Sequence, residues 1–331
     1  MTSRQLTTLL VAASVTSILM GLLIGPTNLG VARTLAVLTG SGTSTDTLIL
    51  LEIRLPRALA AWMVGALLGL SGAALQGLLR NPLAEPGVLG VSATASLFAT
   101  VAIYYGLTSL NAFLLPVAAI AGAMTATALL AVVAIRLSSV VTLILVGVGL
   151  SSLAGALMSL LLTLAPTPFT LSDMVNWTLG SVANRGINDL LLAAPFMILG
   201  GIALVLSAPG LTAMTLGDDV ASTLGVELPK VRNRVVLGAG LCTGAAVSIA
   251  GAVGFVGIIA PHLVRRFVHY DPARTMLPAA LLAGTILVLA DLLIRLIPTT
   301  TELRLGVVAA LIGAPVFIYI AVTRMRGTSD E

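Results

Sequence analysis

The sequence predicts an all-α polytopic membrane protein with about ten transmembrane helices in one domain over residues 1–331. Three observations predict it. Only 9% of residues are charged and 58% are hydrophobic, against about 25% and 45–50% in soluble chains. Mean hydropathy is +1.10. The apolar residues run unbroken for the length of a span and do not alternate, so the spans are helices and not barrel strands. The same composition excludes a soluble enzyme, which needs a charged shell, and a disordered chain, which needs far less apolar residue.

Charge-free runs place the spans in order. The first, 5–32, follows Arg4; no small-x-small site closes it, so it reads as a retained span and not a cleaved signal. Residues 58–79 give the second. The run 86–135 is too long for one helix, and a turn over Tyr104–Asn111 divides it into 88–105 and 112–136. A fifth span covers 141–163 and breaks at Pro166 and Pro168; a sixth fills 190–217. The run 235–261 carries Gly251, Gly254 and Gly257, with Pro261 at its end; it reads as one span plus a shorter, kinked one over 253–268. Residues 272–296 and 305–323 close the series. The total is ten if 253–268 crosses and nine if it does not.

Ten spans with the N-terminus inside put eleven of the seventeen basic residues on the inner side, in accord with the positive-inside rule, and both termini in the cytoplasm. These charges sit between spans and form no single basic face, which argues against a nucleic-acid partner. The single cysteine, Cys242, cannot form an internal disulfide and reads as packing. Gly65, Gly69, Gly72 and Gly77 in span two, and Gly238, Gly240, Gly244 and Gly251 around span seven, let backbones approach closely.

Four stretches carry more than a spanning role. Arg54-Leu-Pro-Arg57, just outside span two, presents two arginines three apart, suited either to lipid headgroups or to an acidic partner. Arg80-Asn-Pro-Leu-Ala-Glu-Pro-Gly87 stops a helix twice and forms an elbow at the inner end of span two. Pro209–Val226 is the longest inward segment. Asp218 is placed to N-cap a short helix that Gly225 ends, with Asp219 in the first turn and Val220 and Leu224 on one apolar face. This is either a capped surface loop or a docking knob. Asp291 and Arg295, four apart in a span, form a favourable ion pair.

Catalytic signatures are missing. No phosphate loop exists, and Lys230 follows a proline; no H-E-x-x-H zinc pattern exists, and His262 and His269 read as structural, so neither catalytic nor metal residues are assigned. Gly69-Leu-Ser71-Gly resembles the nucleophile pattern of intramembrane serine proteases, with His262 as a conceivable base, but such short patterns are common in a chain with 33 glycines. A secondary transporter driven by an ion gradient would want acids deep in its spans, and Asp291 is the only one.

Four ordered motifs carry a family resemblance: RLPRALAAWMVGALLGLSGAALQGLLRNPLAEPGVLG at 54–90, GFVGIIAPHLVRRF at 254–267, LADLLIR at 289–295 and GVVAALIGAPVFIYI at 306–320. Together they resemble the permease subunits of ABC importers for iron chelates (ferric siderophores and haem) and cobalamin. The resemblance implies a type II importer permease of ten helices in a 5+5 inverted arrangement, in the bacterial inner membrane. It implies a second copy of the chain as partner, two ATP-binding subunits that carry ATP and Mg, and a periplasmic binding protein; no cofactor is implied on this chain. Arg54, Arg57 and Arg295 match the family's docking arginines. Residues 209–227 form the cytoplasmic coupling segment, with Leu216, Gly217, Asp218, Asp219, Val220, Ala221, Leu224 and Gly225 at the ATPase groove. Asn81 and Leu83 match one gate element and Val140 and Val141 stand at the other, where the family's best-known member has small polar residues. Residues 164–187 form the periplasmic segment; within it Leu171–Ser181, with Trp177, matches a short outer helix.

Overall fold

The computed structural model describes residues 2–27, 29–136, 140–297 and 301–327, with side chains as far as residue 319. Arg324 and Arg326, counted on the inner side above, lie beyond the described side chains. Among the described residues no strand occurs, and ten helices follow the ten predicted spans. They are α1 (Ser3–Leu23), α2 (Leu55–Leu79), α3 (Val91–Tyr104), α4 (Leu114–Arg136), α5 (Val140–Thr163), α6 (Ile187–Met214), α7 (Leu228–Ala250), α8 (Val256–Arg265), α9 (Pro272–Leu296) and α10 (Leu305–Gly327). A π-helical turn over Leu48–Arg54 leads into α2, making a continuous helical stretch from Ser44 to Leu79. That stretch and α1, α4, α5, α6, α7 and α9 are long and apolar enough to cross a membrane.

Local chemistry sets the helix starts. Thr2 and Gln5 form a reciprocal capping box at α1. Asp271 caps α9 by accepting the Ala273 N–H at 2.9 Å, with Pro272 in the first turn. At its other end, α2 stops where Arg80 turns left-handed at φ 48°.

Helix directions follow from the contacts. α2 runs antiparallel to α9: Arg57 meets Asp291 at one end, Gly65 and Gly69 lie on the Ala283 and Ala279 carbonyls, and Gly77 meets Pro272 at the other. α1 is parallel to α9, since Ser14 Oγ donates to Leu281 O at 3.2 Å and Arg295 donates to Gly21 O at 3.0 Å. α7 packs antiparallel to α6 and α4, with Gly200 on Cys242, Gly210 on Val231 and Gly240 on Thr127. The bundle thus has two ends. One, the knob end, carries Arg80, residues 215–227 and residues 266–271. The other, the arginine end, carries Arg54, Arg57, Arg295 and residues 164–187.

Two helices are short. α3 has 14 residues and α8 has 10, about 21 Å and 15 Å at ~1.5 Å per residue, well under the ~30 Å hydrocarbon core. Each follows a break in the helical path. Residues 80–90 lead into α3 and residues 251–255 lead into α8, and the breaks meet inside the bundle, where the Cβ that Gly72 lacks would lie 1.9 Å from Gly257 O. The unit α2–break–α3 starts at the arginine end, whereas α7–break–α8 starts at the knob end. This is the inverted relation between halves. The 253–268 stretch, left open above, therefore crosses as a broken element and not as one helix.

α1 stops at Leu23, well inside the predicted 5–32, and two further boundaries also differ from the sequence reading. α6 continues through Pro209 to Met214, so the inward segment begins at Thr215 and not at Pro209. Pro209 removes the N–H that Val205 O would accept, and α7 packs beside that turn, with Val231 against Gly210 and Arg234 donating to Leu206 O at 3.4 Å. α7 begins at Leu228, seven residues before the charge-free run, because Lys230 pairs with Glu227 at 2.7 Å and Arg232 with Asp218 at 2.7 Å.

Candidate functional site at the two ends of the bundle

At the knob end, Gly217 at φ +106° turns the chain into the short helix Asp218–Thr223, and Gly225 at φ +84° ends it. Gly217 is the N-cap, and Asp218 is the first helical residue, correcting the capping role expected for Asp218. Its carboxylate does something else. Arg232 donates to it at 2.7 Å and Arg80 also pairs with it, while Arg80 reaches Met214 O at 2.6 Å. One acid therefore ties the short helix to the end of α2 and the start of α7. Ala221 is fully buried beneath the helix, whereas Leu216, Val220 and Leu224 are 62%, 46% and 63% exposed. Asp219 is exposed beside them. The result is an apolar knob on a charged, fixed root.

The elbow between α2 and α3 begins at the same end. Asn81 Oδ1 accepts the Leu83 N–H at 3.0 Å, and Gln76 donates to Ala84 O at 3.4 Å. The elbow then enters the bundle through a 3-10 turn over Pro86–Leu89, which lies against Gly147 of α5. Val140 and Val141 open α5; Val140 is half-buried and Val141 is exposed. Sequence reasoning missed Gly147, which brings α5 onto the elbow with Leu89 and Val88 O.

It also missed Glu85. Glu85 Oε1 accepts the backbone N–H of Phe255 at 2.6 Å. Phe255, at φ 66°, is the N-cap of α8. The carboxylate therefore sits at the positive end of that helix, where backbone N–H groups lack intrahelical partners.

At the arginine end, the structure corrects the picture of free outward arginines. Arg54 is 4% exposed and donates to Leu22 O and Leu23 O, both at 2.8 Å, and to Thr27 O. Arg295 donates to Gly21 O at 3.0 Å and Ile24 O at 3.3 Å. Together they satisfy carbonyls at the end of α1 that have no helical partner, the place where a cation is favoured. Asp291, 1% exposed, is held by Arg295 on its own helix, as its spacing predicts, and by Arg57 of α2 at 2.8 Å. Arg57 also pairs with Glu302. The structure thus joins Arg57 and Arg295 through one acid, and places Arg54 on backbone carbonyls. Nothing in the spacing signals Glu302, which lies outside every span.

The serine-nucleophile pattern gains no support. Ser71 is fully buried, and His262 Nδ1 accepts an Arg265 N–H at 2.6 Å.

This architecture is shared with known proteins. The FecCD transport family matches residues 10–323. The uncharacterized ABC transporter permease protein YvrB of Bacillus subtilis (strain 168) is 42% identical over 293 residues, covering 87% of this chain and 82% of that one. The iron(3+)-hydroxamate import system permease protein FhuG of the same organism is 35% identical, covering 88% and 90%. The vitamin B12 import system permease protein BtuC of Salmonella arizonae is 39% identical, covering 83% of each chain. A solved metal-chelate type ABC transporter in an inward-facing conformation superposes with a TM-score of 0.84 at 31% identity, covering 96% of this chain and 99% of that one. With a family match across nearly its whole length, the chain is a multi-pass inner-membrane permease subunit of an ABC importer and belongs to the FecCD transport family.

Proposed function

We propose that the chain is the membrane-spanning half of an ATP-driven importer that moves an iron chelate, haem or a ferric siderophore, from a periplasmic binding protein into the cytoplasm. The observation that carries the reading is the knob: three exposed apolar side chains on and flanking a short helix whose base is fixed to α2 and α7 by Asp218, Arg80 and Arg232. A force applied to such a lever reaches two spanning helices at once. In this reading the knob end faces the cytoplasm, both termini lie there, and two ATP-binding subunits on separate chains hold ATP and Mg and grip Leu216, Val220 and Leu224. A second copy of the chain completes the path, with Asn81, Leu83, Val140 and Val141 at its inner mouth.

Docking of the binding protein falls to the arginine end. Arg57 is the reachable member: its side chain is 15% exposed beside Glu302, 40% exposed, whose place an acidic side chain of the partner takes. Arg54 and Arg295 hold the rim in shape. Cobalamin is the alternative cargo, favoured by the BtuC relatives, as the FhuG relative favours a ferric hydroxamate. Uptake into proteoliposomes tests the reading. Chelate accumulates when the permease, its ATPase and its loaded binding protein are present with ATP; accumulation by the permease alone refutes it.

A further inference from the structure

We infer that a cavity at the arginine end, lined by Trp177, Arg185 and Arg304, is a binding site for a carboxylate-bearing small molecule. The cavity has a volume of about 340 Å³ and is also lined by Asp173, Asn176 and Asn184. It lies between the short helix Pro168–Thr178 and the segments that open α6 and α10.

The case rests on which donors are already used. Among the cations of this end, Arg33 pairs with Asp46, Arg54 with carbonyls, and Arg57 and Arg295 with Asp291. Arg304 donates to a neutral acceptor, Asn176 Oδ1, at 2.8 Å. Arg185 differs: among the described residues its guanidinium has no hydrogen-bond acceptor and no ion pair, and its Nε, like that of Arg295, is buried. Trp177 is 8% exposed, and its Nε1, a donor only, is likewise buried and unpartnered. A guanidinium that lines a cavity without an acceptor of its own is costly unless something there accepts from it. Burial also pushes the Arg185 guanidinium below its usual pKa, and the nearby Asp189 only partly opposes this. Asp189 already accepts the Gly186 N–H at 2.9 Å. Asp173, the one acid in the lining, is exposed at the rim.

A ligand that fits must be an acceptor, negatively charged, and planar enough for a guanidinium edge. A carboxylate meets all three conditions. The comparable cavity at the knob end, lined by Arg80 and Arg265, differs because Arg80 is already paired with Asp218 and Met214 O. The assignment of this carboxylate to the transported cargo rests on the importer reading; the binding itself does not.

The test uses the purified permease in lipid nanodiscs, without motor or binding protein. The chain has two tryptophans, so Trp62→Phe leaves Trp177 as the sole indole reporter. Titration with succinate produces a saturable change in Trp177 emission, and neutral succinamide produces none. Arg185→Gln abolishes the succinate response, and Arg304→Gln weakens it at least tenfold. Trp62→Tyr serves as a second background should Trp62→Phe fold poorly. The proposal is overturned by a flat succinate titration in both backgrounds, by an equal response to potassium chloride, or by a response that survives Arg185→Gln. Because no ATP enters the assay, these outcomes leave the importer reading standing, and a failure of ATP-driven uptake leaves this site standing.

Discussion

Glu85 and Phe255, 170 residues apart, are joined by a 2.6 Å hydrogen bond from the Phe255 N–H to Glu85 Oε1. The bond links the break before α3 to the break before α8, one from each half of the chain. Phe255 holds a left-handed φ of 66°, costly for a residue with a side chain, and its Cβ lies beside Gly313 of α10. Glu85→Ala leaves the N–H buried without an acceptor, a loss of about 1–3 kcal/mol. Glu85→Gln keeps an acceptor oxygen and loses the charge. Melting temperatures in detergent therefore fall in the order wild type, Glu85→Gln, Glu85→Ala. Equal melting of Glu85→Ala and wild type would show that the bond contributes nothing.

Among the glycines of α2, Gly72 leaves the least room for a side chain. A Cβ there meets Gly257 O at 1.9 Å and Gly257 Cα at 3.0 Å, backbone atoms that cannot rotate away. Gly72→Ala forces α2 and α8 apart and costs about 1–3 kcal/mol or more. Gly155 of α5 has open space around its missing Cβ. Folded yield by fluorescence size-exclusion drops for Gly72→Ala and is unchanged for Gly155→Ala.

The spans were legible because the bilayer sets a minimum length for an apolar run, and the chain obeys it closely at 112–136 and at the far end of 58–79, although the helix there begins earlier, at Ser44. The breaks were legible too: Asn81-Pro82, Glu85-Pro86 and Gly251 are local punctuation. What Glu85 binds was not, because its acceptor geometry depends on a partner 170 residues on. The end of α6 was hidden because Pro209-Gly210 reads as a stop, yet α7 supplies Val231 and Arg234 against that turn. Arg54 looked like a surface charge. Its burial follows from where the carbonyls of α1 end, and no pattern in residues 54–57 encodes that.

Asp291 neutralises two arginines from two helices inside the protein. Asp291→Asn leaves Arg57 and Arg295 facing each other with one fewer counter-charge, and removing one member of such a buried set costs roughly 3–5 kcal/mol. Arg57→Gln in the same chain relieves part of that repulsion, so Asp291→Asn with Arg57→Gln melts at a higher temperature than Asp291→Asn alone. Additive destabilisation would mean that the two groups act independently.

In the proposed importer the knob separates a docking surface from its foundation. Val220 and Leu224 are 46% and 63% exposed, so an aspartate at either position meets water and leaves the fold intact; Ala221 is fully buried, so Ala221→Asp puts an uncompensated charge beneath the helix. Val220→Asp and Leu224→Asp therefore keep the wild-type melting temperature, yet lose ATPase co-purification and at least tenfold of ATP-driven uptake. Ala221→Asp loses the melting temperature as well. The Asp218 root predicts an intermediate class: Arg232→Gln keeps the exposed apolar face but loosens its tie to α7. On the proposed coupling, ATPase binding then persists while uptake per ATP hydrolysed falls, because the motor would grip a lever no longer fixed to the helix it must move. Wild-type uptake by Leu224→Asp would remove the knob from the mechanism.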